Sequence, residues 1–106
     1  MSAQELSRAV EMLSRQVGHW EAPRWGVLAH GSDATRGELM HGLIQRVADL
    51  AADVEGQPRR PVPRLSTDTV LIDQLRVVAA DLLAAGPPAE VVAAVVADVS
   101  AVRAAL

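Results

Sequence analysis

The chain contains no cysteine, tyrosine or phenylalanine, and besides histidine its only aromatic residues are Trp20 and Trp25. Without cysteine there is no disulfide frame, no thiolate nucleophile and no cysteine-ligated zinc site. Lysine is missing too: all ten basic residues are arginine, set against thirteen acidic ones for a net charge of −3. A mildly acidic chain lacks the electrostatic footprint of non-specific nucleic-acid binding, and no nucleic-acid partner is expected. Met1 to Glu5 offer neither a basic stretch nor an apolar run, so no secretory signal is expected. A membrane span needs about 20 apolar residues, and Asp98 and Arg103 interrupt the best stretch. Together these absences lead to the expectation of a soluble, cytoplasmic chain without a membrane partner.

What remains is mostly alanine, valine and leucine, within a hydrophobic fraction of 50%. That palette suits closely packed helices better than sheets, which favour aromatic and β-branched residues together. At 106 residues the chain is the size of one domain with one core. The Ala- and Arg-rich composition resembles that of short proteins from GC-rich bacteria, a likeness of composition that implies nothing about individual residues.

Hydrophobic spacing predicts four helical segments. Ser2 and Glu5 match a capping box, and Leu6, Val10, Leu13 and Val17 follow on one stripe up to a stop at Gly18. A second helix begins near Asp33 to Thr35, with a further capping-box match at Thr35 and Glu38, and ends at Gly56. Its stripe is Leu39, Leu43, Val47, Leu50 and Val54, widened by Met40, Ile44 and Ala51. The third runs from about Ser66–Asp68 to Gly86 around Leu71, Leu75, Val78 and Leu82. The last starts at Pro87-Pro88, where proline is tolerated, and carries the seam Val92, Val95, Val99, Val102 and Leu106. Its valine pairs recur every four residues rather than alternating, which predicts a helix and not a strand. The third and fourth segments read as an αα-hairpin. The expected architecture is therefore all-α: a single domain, residues 1–106, resembling a four-helix bundle. A long Trp-containing connection, with a short helical turn near Pro23 to Leu28, follows the first helix.

Candidate chemistry is sparse. Glu38 and His41 have the Glu-x-x-His spacing of di-iron bundles, but no second such motif exists, and both fall on the polar face of their helix with Asp49 and Asp53. His19, His30 and His41 are separated by Pro23, Gly26 and Gly31 and do not form a ligand set. No phosphate loop or nucleophile motif is present. Neither a catalytic residue nor a metal or other cofactor is expected, and an enzyme built on the Glu38/His41/Asp49/Asp53 face is the least favoured of three readings.

The first reading is a non-enzymatic helical interaction module, a homo-oligomer or a protein's partner. It rests on a surplus of apolar surface: Val70 and Val77 form a second line on the third helix, and Val91 and Val96 extend the seam of the last. Each buried valine is worth about 2 kcal/mol, so leaving several exposed forgoes substantial stabilisation. These four are the candidate interface residues. The second reading is a bundle that binds a small ligand or anion, with Trp20, Trp25, Arg59, Arg60 and Arg64 as candidates. Trp is enriched at binding hot spots, while the Pro/Arg stretch from Gln57 to Leu65 leans towards polyproline II. Structural roles for the same residues, a Trp strap and a stiff linker, are the simpler expectation.

Overall fold

The computed structural model describes residues 2–106, and among them the ordered elements are helical. They are α1 (Ala3–Val17), α2 (Ala22–Trp25), α3 (Arg36–Glu55), α4 (Leu71–Ala84) and α5 (Ala89–Ala105). A single 3-10 turn, Asp68–Val70, leads into α4. The chain is thus an all-α domain whose long helices share one core. No helix among the described residues is long and apolar enough to cross a membrane.

Helix boundaries follow local chemistry. Thr35 Oγ1 accepts from the Glu38 amide and Glu38 Oε1 accepts from the Thr35 amide, each at 3.1 Å, closing a reciprocal box at the start of α3. At α1 only half of the box forms: Ser2 Oγ accepts from the Glu5 amide at 3.2 Å. Ser32, an alternative cap for α3, instead accepts from the Ala34 amide within the preceding turn. Helix α3 stops at Gly56, whose φ of 69° is left-handed and disfavours any residue with a Cβ.

The packing order differs from the chain order. Helix α1 packs on α4 and α5, and α3 packs on the same two, so α4 and α5 occupy opposite corners of the bundle. The expected αα-hairpin of the last two helices is therefore corrected. Pro88 is extended (φ −61°, ψ 155°), and successive prolines carry the chain across the bundle end instead of folding it back.

Core faces match the spacing closely in α1 and α5. Leu6, Val10, Leu13 and Val17 are buried, as are Val92, Val95, Val99, Val102 and Leu106. In α3 the buried centre is displaced: Met40, Leu43, Ile44, Val47 and Ala51 are inside, while Leu39, Leu50 and Val54 sit at its edge. Among the described residues, three polar clasps join the long helices. Arg46 makes a bidentate pair with Asp98 at 2.7 and 2.9 Å, Arg103 and Gln16 exchange two hydrogen bonds, and Arg76 donates to Ser14. The connection after α2 is tied back as well, the His30 amide donating to the Ala105 carbonyl at 2.9 Å.

Val99 is 1% exposed in the middle of α5. A carboxylate there would be buried without a partner. Val99→Asp is expected to abolish the cooperative thermal transition seen by far-UV circular dichroism; retention of that transition would show the position to be peripheral.

Candidate functional site

One flank of α3 carries His41, Gln45, Ala48 and Ala52, spaced by four, three and four residues and hence aligned on one side. The extended segment from Gln57 to Leu65 lies along it. Gln45 holds it at two points: its Oε1 accepts from the Val62 amide at 2.7 Å and its Nε2 donates to the Arg60 carbonyl at 3.0 Å. The His41 Nε2 nitrogen bonds the Val62 carbonyl at 2.9 Å, and Gln74 on α4 donates to the Pro63 carbonyl at 3.2 Å. The segment is a strap spanning α3 and α4, fixed through its backbone by side chains. Prolines suit this role because they leave few amides needing a partner.

These bonds account for the polar face on which sequence spacing placed a possible reactive cluster. His41 anchors the strap, Glu38 closes the α3 cap, and Asp49 accepts from Gln45 at 2.9 Å. Asp53 is bound at both oxygens by Arg59, at 3.0 and 2.6 Å. The Arg59 guanidinium holds the Asp53 carboxyl below its ordinary pKa, and hydrogen bonds from Thr35 do the same for Glu38.

The candidate ligand residues are not brought into one site. Arg59 sits by Asp53 near the end of α3, whereas Arg64 pairs with Asp68 at 2.9 Å and lies against Gly37 near its start. Those α3 positions are about 24 Å apart at 1.5 Å per residue. Arg60 lines a hollow of about 490 Å³ beneath the strap, floored by Ala48, Ala51 and Ala52. Trp20 and Trp25 are 5% and 1% exposed and meet edge to face, with ring centroids 5.0 Å apart. They fill the core and do not present their rings to solvent.

The four candidate interface valines divide in the same way. Val91 and Val96 are half-buried against the core edge, and the exposed side of α5 is left to alanines such as Ala94, Ala97 and Ala101. Val70 and Val77 line an apolar groove of about 420 Å³ between α4 and the strap, together with Val62, Leu65 and Val78. Val77 is 60% and Leu65 47% exposed. Leu65 was hidden from periodicity because it lies outside any helix. Exposed apolar side chains also occur at Met12 on α1 and at Val27 and Leu28 after α2, while Leu65 and Val77 share one groove between α4 and the strap.

Comparison with known protein families, with curated proteins and with solved structures finds no match for the chain.

Two outcomes follow from these contacts. Gln45→Ala should release the strap, so the Val62 amide, protected by Gln45, should exchange with deuterium at least tenfold faster while the α3 core amides do not change. Equal protection in the variant would mean that the strap is held by other means. Glu38 has a lowered pKa, so its contribution to stability is present above the ordinary carboxylate range and is lost as pH falls through the lowered value. The difference in melting temperature between wild type and Glu38→Gln should therefore shrink between pH 7 and pH 3 (about the range that spans carboxylate titration); a constant difference would contradict the assigned cap.

Proposed function

We propose that the chain is a non-enzymatic helical interaction module that pairs with a second copy of itself through the groove between α4 and the strap. The observation that carries this reading is the exposure of Leu65 and Val77 beside Val70 in one apolar depression. Burying an aliphatic side chain completely is worth about 1.5–3 kcal/mol, and closed two-fold pairing is the commonest way for one surface to cover itself.

The rim favours a second copy over a strongly charged partner. Asp73 pairs with Arg76 at 3.3 Å beside the groove, and Arg64 pairs with Asp68 at its strap end. Both signs are present and locally balanced, so two identical surfaces meet without a net repulsion. The non-enzymatic part of the reading is supported by Glu38, His41, Asp49 and Asp53, each of which is engaged in a cap, strap or ion pair.

Sedimentation equilibrium over a micromolar concentration series tests the proposal. Wild type is expected to show a monomer–dimer equilibrium that Val77→Asp shifts to monomer without loss of helicity, while Ala101→Asp, on the exposed side of α5, leaves it unchanged. A wild-type monomer at every concentration, or a dimer indifferent to Val77→Asp, would overturn it.

A further inference from the structure

Among the described residues five arginines pair with carboxylates: Arg15 with Glu11, Arg46 with Asp98, Arg59 with Asp53, Arg64 with Asp68 and Arg76 with Asp73. Arg24 and Arg36 have no such partner among the described residues, yet they converge on one ring. The Arg24 Cζ atom is 4.5 Å and the Arg36 Cζ atom 5.0 Å from the centroid of Trp20. A cation over an aromatic face gains about 0.5–1 kcal/mol at exposed sites, but two cations beside the same ring also repel each other.

The hydrogen-bond balance around this ring is one-sided. The indole N–H groups of Trp20 and Trp25 are buried without an acceptor among the described residues, as is the Arg36 Nε–H. Arg36 Nη1 donates to the Arg24 carbonyl at 3.3 Å. The nearby Glu38 carboxylate is turned back onto Thr35 and carries no bond to either arginine. Buried donors are ordinarily matched in proteins, and here donors and positive charge accumulate together.

We infer that the α2–α3 end of the bundle is a binding site for a phosphate group, held by the Arg24 and Arg36 guanidiniums that stack on Trp20. Guanidinium donors match phosphate oxygens in pairs, and two guanidiniums match the charge of a dianion. Neither a cation nor an uncharged apolar group would answer this arrangement. The site is separate from the groove between α4 and the strap, and the two stand or fall independently.

With no tyrosine and only these two tryptophans, intrinsic fluorescence arises from the cluster on which Arg24 and Arg36 stack. Inorganic phosphate is titrated into the full chain at fixed protein concentration and constant ionic strength, with chloride and acetate as comparison anions. The expected result is a saturable change in emission with phosphate only, at least about tenfold weaker in half-saturation for Arg24→Gln and for Arg36→Gln. Arg24 is exposed, so its variant retains the fold even if Arg36→Gln loosens the Trp cluster. No saturable change, an equal change with chloride or acetate, or an unaltered titration in Arg24→Gln would each overturn the assignment.

Discussion

The buried face of α3, formed by Met40, Leu43, Ile44, Val47 and Ala51, is the surface against which both α4 and α5 close. Because α3 is twenty residues long, its other sides are free to organise the remaining chain. On one flank Arg46 reaches Asp98 of α5; on the other, His41 and Gln45 hold the strap. Its first turn is fixed by Thr35 and Glu38, and Arg36 in that turn lies over Trp20. Moving the register of α3 by one residue would rotate each of these groups by about 100°. The core, the strap and the Trp cluster therefore depend on the same helical phase.

The aliphatic composition makes this arrangement possible and also limits it. Alanines at positions 48, 51 and 52 leave room for a strap over α3 and α4, with a hollow beneath it. The strap supplies little apolar contact of its own, so backbone hydrogen bonds from glutamine and histidine do the holding. At the opposite corner the alanines of α5 face outward, and its half-buried valines close the edge of the core. The surplus of apolar residues in α5 is thus largely used within the chain. Exposed apolar side chains remain at Met12, Val27 and Leu28 and, grouped in one groove where α4 meets the strap, at Leu65 and Val77.

Much of this was legible in the residue order where one periodic signal decided the matter. The stripes of α1 and α5, the box at Thr35 and the stop at Gly56 all depend on contacts within a few residues. The displaced centre of α3 was not legible, since its apolar residues from Leu39 to Ile44 form one continuous arc of about 140° at 100° per residue, and only the neighbours' positions select the centre within it. The strap was beyond periodicity for a different reason: Gln45 and Val62 are seventeen residues apart, and nothing in local spacing couples a polar helical side chain to a distant backbone amide. Val70 and Val77 were visible as a second line, while Leu65 was not. Arg24 and Arg36 each have the sequence context of an ordinary surface arginine, and only the fold brings both to Trp20.

The absence of cysteine allows a direct test of where two copies meet. A single spin label can be placed at Ala84→Cys, on the outer side of α4, or at Ala101→Cys, on the outer side of α5, and intermolecular distances measured by pulsed dipolar spectroscopy. Pairing through α4 and the strap predicts a short, narrow distance between labels at position 84 and a longer one at position 101. The reverse order, or no intermolecular coupling at either position, would contradict it.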